Sequence, residues 1–242
     1  MALHFLLDAP TDAGVGDLVA LIGAEAKHAA VVRRLRVGEA VTVGDGRGAW
    51  LSGTAEEVSP ARVDIRISER TERPLPTPRV VLVQALAKGD RDELAVQAAC
   101  ELGIDEVVPW QASRSVSRWE GPKAVKGRDR WAAIVREAAK QAHRAWVPEV
   151  AAPVSTKQLA ERATTQRVLI LDPTASARLS DIEPDGRDIV LVVGPEGGVS
   201  DQELVQLVDA GAERVLLGET VLRTSTAGPA AIAVLSVALG RW

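Results

Sequence analysis

Tyrosine is absent from this 242-residue chain, and cysteine, methionine and phenylalanine occur once each. A lone Cys100 closes no intramolecular disulfide and supplies no multi-cysteine zinc site. The histidines His4, His28 and His143 are scattered, so no metal centre is expected. Long apolar runs are missing as well. The longest, Ala230 to Leu239, is half the ~20 residues of a membrane-spanning helix, and Ser236 interrupts it. The opening MALHFLLDAP has no basic start and its apolar part stops at Asp8, unlike a signal peptide, so a cytoplasmic protein without a membrane partner is expected. Nor is there an overall basic excess: the net charge is −4. The charge is uneven, however. Residues 113–148 hold nine Lys/Arg against Glu120, Asp129 and Glu137, a local +6 that leaves −10 for the rest. Trp119, Trp131 and Trp146 lie in the same stretch.

Apolar residues at 46% and charged residues at 26% describe a globular chain. The clearest boundary is Arg73-Pro74-Leu75-Pro76-Thr77-Pro78, where three prolines force extended backbone. Before it, short alternating strands dominate: Ala40–Val43, Ala49–Ala55, and Val63–Ile67 with Val63, Ile65 and Ile67 on one face. One helix is expected near Gly23–Leu35. After the boundary, strands alternate with helices. Strands are expected at Val80–Leu86, Ile104–Trp110, Val168–Leu171, Ile189–Val193 and Val215–Leu217. Helices are expected from Asp90 to Leu102, over Arg130–Ala145, after Ser155, from Ser200 to Ala210 and over Thr224–Leu239. Asp90/Glu93, Ser155/Gln158 and Ser200/Glu203 have capping-box spacing. Strands apolar on both faces, alternating with helices, imply an α/β domain with a mainly parallel sheet. The domain reading is therefore a β-barrel-like unit over residues 1–73, a linker at 74–78 and an α/β unit over 79–242.

Three glycine-rich segments are candidates for chemistry. Gly44-Asp45-Gly46-Arg47-Gly48 has the spacing of a nucleotide loop, but a strand follows it where a helix is required, so it reads as a hairpin turn. Gly194-Pro195-Glu196-Gly197-Gly198 joins a buried strand to a capped helix. It lies at the carboxyl end of a parallel strand, where open α/β sheets bind ligands, although a plain βα turn also favours glycine. The segment from Leu217 to Gly228 joins the next strand to the last helix and brings Arg223, Thr224, Ser225 and Thr226 to that helix's start, where hydroxyls also serve as caps.

The segment Gly194-Pro195-Glu196-Gly197-Gly198-Val199-Ser200, followed by Leu217-Gly218 and Val221-Leu222-Arg223-Thr224-Ser225-Thr226-Ala227, resembles the C-terminal signature of SPOUT-class RNA methyltransferases. The resemblance is closest to the RsmE family, the 16S ribosomal RNA uridine-N3 methyltransferases. It continues through His28 to Glu39, Lys88, Glu101-Leu102-Gly103-Ile104, Val108-Pro109, Ser113-Arg114-Ser115-Val116 and Arg130-Trp131 to Gln141, in order along nearly the whole chain.

That resemblance implies a PUA-like β-barrel RNA-binding domain before a SPOUT domain with a C-terminal trefoil knot. It also implies a homodimer and S-adenosylmethionine as cofactor. On this chain the cofactor loops are Leu171-Asp172-Pro173, Gly194, Pro195, Glu196 and Gly197 with Gly198, and Leu217, Gly218, Val221 and Leu222. Leu217 and Leu222 pack on the adenine. The family's usual glutamate before the last Thr-Ala is Ser225 here, and serine also caps helices well. The implied reaction removes the proton of uridine N3 and methylates the nitrogen. Arg223 is the candidate to stabilise charge on the uracil oxygens. Glu196 either accepts the N3 proton or faces the cationic cofactor.

RNA affinity is expected from phosphate contacts by Arg33, Arg34, Arg36, Lys88, Arg114 and Arg144. Arg118, Arg136 and Lys140 are further candidates, Trp119 is a candidate stacking residue, and Trp131 belongs to the core. The partner implied is 16S rRNA in the small ribosomal subunit. Two alternatives stay open: a SPOUT enzyme for another rRNA or tRNA site, and a non-catalytic RNA-binding assembly factor.

Overall fold

A computed structural model describes residues 3–242. The chain divides into two compact units, one running through Leu75 and including Ala139–Val147, the other comprising Pro76–Ala138 and Pro148–Trp242. The division falls inside the proline-rich segment. Residues 139–147 lie, on the sequence reading, in the α/β domain, whereas the structure packs them with the first unit.

The first unit is a five-stranded sheet of order β1-β3-β4-β5-β2, made from β1 (Leu3–Leu6), β2 (Leu18–Ile22), β3 (Ala40–Gly44), β4 (Ala49–Val58) and β5 (Arg62–Glu72). Only β1 and β3 pair parallel. Alternation places Val63, Ile65 and Ile67 in the core with Phe5, Leu21, Val43 and Leu51. Register slips beside Gly53, where a Cβ would sit 2.4 Å from the Arg66 carbonyl oxygen. The expected helix is shorter than its sequence span: α1 (Gly23–Lys27) runs into a π-type turn over His28–Val32. The left-handed backbone of Arg34, at φ 54°, stops it before Leu35.

The β3–β4 hairpin turn has a second use. Gly48 N donates to Ala145 O at 3.0 Å and Val147 N to Gly46 O at 3.0 Å. A Cβ on Gly48 would lie 2.8 Å from both Arg73 O and the Trp146 ring. The glycines therefore admit residues 145–147 as well as turning the chain. Beside them His4 stacks on Trp50 with 4.3 Å between ring centroids, His143 lies 5.2 Å from His4, and the Arg73 guanidinium sits 4.2 Å from the Trp50 centroid.

The second unit is a six-stranded, wholly parallel sheet of order β11-β9-β10-β6-β7-β8. Its strands are β6 (Val80–Ala85), β7 (Glu106–Trp110), β8 (Glu149–Val150), β9 (Arg167–Leu171), β10 (Ile189–Val193) and β11 (Glu213–Val215). Every residue of β6, β7 and β10 is buried, as strands covered on both faces require. The helices are α2 (Arg91–Glu101), α3 (Pro122–Gln141), α4 (Thr156–Arg162), α5 (Asp201–Asp209) and α6 (Thr224–Ala238). α3 starts eight residues before the expected Arg130, because Pro122 serves as a first-turn residue.

The capping boxes Ser155/Gln158 and Ser200/Glu203 are both formed. The one expected at Asp90/Glu93 is not. Asp90, at φ −106° and ψ 10°, is outside the extended region that an N-cap side chain needs. Asp92 bonds Ala87 N at 3.1 Å, and Glu93 pairs with Arg130 instead. No hydroxyl caps α6 either: its N-cap is Arg223, and Ser225 lies inside the first turn without a capping bond. In α6, Gly228 allows close approach to the sheet, since a Cβ there would stand 3.0 Å from Leu82.

Burial, then the positive charges of His143, Arg73 and Lys140, push the His4 pKa down to about 4. A lowered histidine keeps its full contribution above the ordinary 6.5, and that contribution drains away as pH falls toward about 4. Urea midpoints should fall over that interval in the wild type and fall less in His4→Gln. Equal falls in both proteins would remove His4 as the source.

Candidate active site

Parallel pairing sets the carboxyl ends of β9, β10 and β11 along one edge of the sheet. The loops that leave these ends enclose a cleft of about 520 Å³. Leu171, Asp172, Gly194, Pro195, Glu196, Val221 and Leu222 line it, together with Arg223. Leu217 and Gly218 line an adjoining hollow of about 80 Å³ that shares Leu171, Asp172, Val221 and Leu222. Of the residues assigned from sequence to the cofactor, Gly197 alone is on neither wall. It lies under Arg114 instead, whose Cβ is 3.3 Å from where a Gly197 Cβ would be. Val221 and Leu222 are unusually open for apolar side chains, at 79% and 36%.

A buried hydroxyl ties the cleft together. Thr224 Oγ1 accepts from Gln84 Nε2 at 2.8 Å and donates to Gly194 O at 2.9 Å. The start of α6, the end of β6 and the turn after β10 are thus joined at one atom. Gln84 and Thr224 are 140 residues apart in the chain.

Three carboxylates in and beside the cleft, Asp172, Glu196 and Glu203, are engaged. Asp172 is buried, which alone would raise its pKa. The Thr174 amide, the Arg214 guanidinium and the Thr174 hydroxyl outweigh burial and hold it below the usual range. Its side chain shapes the loop and anchors Arg214. Glu196 is similar: against the cost of burial, its own amide, the Lys88 amide and Arg91 lower its pKa. Glu196 Oε1 accepts from Lys88 N and from Arg91 Nη1, each at 3.1 Å. A carboxylate so stabilised is a weak proton acceptor. Glu203 receives Ser113 N, Ser113 Oγ, Thr156 Oγ1 and Ser200 Oγ within 2.9 Å, and against the cost of burial the bonds from Ser113 and Ser200 lower its pKa.

Arg223 is exposed on the rim of the cleft. Its guanidinium has no hydrogen bond or ion pair among the described residues. Of the arginines and lysine expected to meet RNA, Arg33, Arg34 and Arg36 are exposed on the first unit, and Arg144 is half-buried there. Lys88 and Arg114 are exposed on the second, and Arg114 Nη1 donates to Gly197 O at 3.2 Å. Sequence reasoning missed Arg91, Gln84 and Arg214. Each acts through a partner distant in the chain, and no local pattern marks them.

Comparison with known proteins matches residues 73–236 to the RNA methyltransferase domain family and residues 21–68 to the RNA methyltransferase PUA domain. A ribosomal RNA small subunit methyltransferase E from Mycobacterium tuberculosis is 42% identical over all of this chain and 94% of its own length. The chain belongs to the RsmE family. Its relatives include solved structures. The Neisseria gonorrhoeae RsmE bound to S-adenosyl methionine superposes with TM-score 0.88 at 30% identity, covering 98% of each chain. A Legionella pneumophila methyltransferase in complex with the same cofactor superposes with TM-score 0.87 at 31% identity and the same coverage.

Because Thr224 joins three parts of the site, Thr224→Val should cost about 1–3 kcal/mol of stability by depriving one Gln84 N–H and the Gly194 carbonyl of their partner. Thr224→Ser should restore most of it. Denaturant unfolding of both variants measures this, and a Val variant as stable as wild type would show that the bridge contributes nothing.

Proposed function

We propose that this chain transfers a methyl group from S-adenosylmethionine to N3 of a specific uridine in 16S rRNA of the small ribosomal subunit. The observation that carries the reading is the cleft where three successive βα loops meet, with an unpaired guanidinium at its rim. Membership in the RsmE family and cofactor-bound relatives support it.

The residues present fit the cofactor. Leu171, Val193, Leu204, Val221 and Leu222 offer apolar walls for an adenosyl group. Gly218 has an ordinary backbone conformation and nothing within 4 Å of its missing Cβ. Glycine there leaves room rather than permitting a turn. S-adenosylmethionine supplies a methyl group on a sulfonium, a carbon electrophile. The backbone of Gly194–Gly198 and Leu217–Leu222 would hold it, and Leu222 would offer its side chain to the adenine.

N3 is an imide nitrogen that attacks only when its proton has gone. Arg223 sits where an unpaired uracil would face it, and its charge stabilises the negative charge that builds on the ring oxygens. Glu196 orients the Lys88 loop and Arg91 and presents an anionic wall. The N3 proton passes to water, since Asp172, Glu196 and Glu203 are held ionised by their hydrogen bonds. The target base has to be extruded from pairing and stacking before it reaches the cleft.

The reading includes a trefoil knot through the loops after β9, β10 and β11, supported by their convergence. It also includes a homodimer, supported by the exposure of Val221, Val237 and Trp242 at 79%, 66% and 64%. Light scattering that finds only monomer in an active preparation overturns the dimer. The proposed substrate places the protein in the cytoplasm. Among the described residues, no helix is long and apolar enough to cross a membrane.

Radiolabelled methyl transfer to small subunits, free 16S rRNA and tRNA tests the reaction, with nucleoside mass spectrometry identifying the product. N3-methyluridine in small-subunit RNA is expected, and a product confined to tRNA, or no product at all, overturns the reading. Arg223→Ala should keep cofactor affinity and lose turnover by about 10²–10³. Wild-type turnover in that variant would take Arg223 out of the mechanism. Without a carboxylate base, kcat/KM should climb with pH through neutrality rather than level off above the carboxylate range.

A further inference from the structure

The loop from β7 to α3 and the first turns of α3 carry Arg114, Arg118, Lys123, Lys126, Arg128 and Arg130 against Glu120 and Asp129. Three of these cations have intramolecular duties: Arg130 pairs with Glu93, Arg128 Nε donates to Val150 O at 3.0 Å, and Arg114 Nη1 donates to Gly197 O at 3.2 Å. Arg118, Lys123 and Lys126 are exposed and have no hydrogen-bonding or ionic partner for their side chains among the described residues. Exposed cations are common, so exposure alone assigns nothing.

What sets this strip apart is the rigidity of its support. Gln111 accepts from Trp119 N at 3.0 Å and donates to Ser117 O at 3.2 Å. Trp119 lies on Gly127, where a Cβ would be 2.5 Å from the indole, and meets buried Trp131 edge-on at 5.0 Å. At the other end, Glu203 grips Ser113, and Arg114 reaches the carbonyls of Gly197 and Val199 at 3.2 and 3.4 Å. The strip is therefore a fixed ledge that starts on the cleft loop itself and ends on α3. Val116 and Val125, 69% and 61% exposed, stand among its cations.

We infer that this ledge, centred on Arg118, Lys123 and Lys126, is a track for the RNA phosphate backbone leading to the cleft. The inference rests on the proposed action on RNA and adds where on the second unit the strand runs. Residues 113–138 of the second unit hold seven Lys/Arg against Glu120, Asp129 and Glu137, a local +4 in a chain of net charge −4, so a polyanion is drawn to this strip. The two valines offer apolar contact to riboses and base faces beside the phosphates. Trp119 is committed to Gly127 and Trp131, so it holds the ledge rather than stacking on a base.

The test compares the full chain with the triple variant Arg118→Ala/Lys123→Ala/Lys126→Ala for binding of full-length 16S rRNA across a salt series. Each lost phosphate contact flattens the dependence of log affinity on log salt by about 0.7–0.9, so the triple variant should be shallower by about two to three. The charge-conserving Arg118→Lys/Lys123→Arg/Lys126→Arg should keep the wild-type slope. Lys157→Ala, an exposed lysine on α4, should keep it too. Matching melting temperatures verify that each variant is folded. A wild-type slope in the triple alanine variant overturns the ledge, as does a Lys157→Ala slope reduced by as much per charge. An acidic polypeptide that competes for the ledge as well as RNA does would also overturn the assignment to RNA. Methyl transfer by the same preparations separates the two proposals. N3-methyluridine formed with an unaltered slope overturns the ledge alone; a shifted slope without any methylation overturns the activity and upholds the ledge.

Discussion

Parallel pairing of β6, β10, β9 and β11 puts the carboxyl ends of these strands on one edge of the sheet, and the cleft exists only because of it. In an antiparallel sheet the loops after β9 and β10 would leave from opposite edges. Here they meet, and the apolar strands that force burial on both faces also hold that edge in register. The Thr224 hydroxyl then locks the gathering, because its two bonds reach the strand end at Gln84 and the turn at Gly194. The site is thus less a set of side chains than a set of loop ends whose positions are dictated by the sheet.

Much of this was readable from residue order. Runs such as Ile189–Val193 announce a covered strand, and Ser200 with Glu203 announces the helix that follows, so the place of Gly194–Gly198 between them is a matter of local grammar. Distance in the chain is what hid the rest. Arg91 and Glu196 meet across 105 residues, and Gln84 and Thr224 across 140. Asp90 shows the converse. It has the spacing of a cap, but the backbone that leads into α2 turns the wrong way, and Glu93 is drawn to Arg130 instead. Hydroxyls at the start of α6 looked like caps for the same reason, whereas Thr224 spends its oxygen on tertiary bonds.

Three acidic groups at the cleft share one electrostatic character. Asp172, Glu196 and Glu203 each gain more from amides, hydroxyls and arginines than they lose by burial. Such groups stay charged and keep their geometry through the working pH range, which suits them to hold loops in place. In the proposed reaction the proton goes to solvent and Arg223 stabilises the anion left behind, so that reading needs no carboxylate at Ser225.

The seat that Gly46 and Gly48 provide for residues 145–147 bears on how the chain can be cut. A sequence boundary at the prolines suggests two beads on a string, each transplantable. The polypeptide instead leaves the first unit at Leu75, returns to it for Ala139–Val147 and leaves again. A fragment severed at the linker would retain the glycine hollow but lose its plug, exposing Trp50 and His4 where the plug now lies. Evolution or engineering can thus exchange the first unit's sheet only together with its matching nine-residue piece, Ala139–Val147, and the two have to be inherited as a pair.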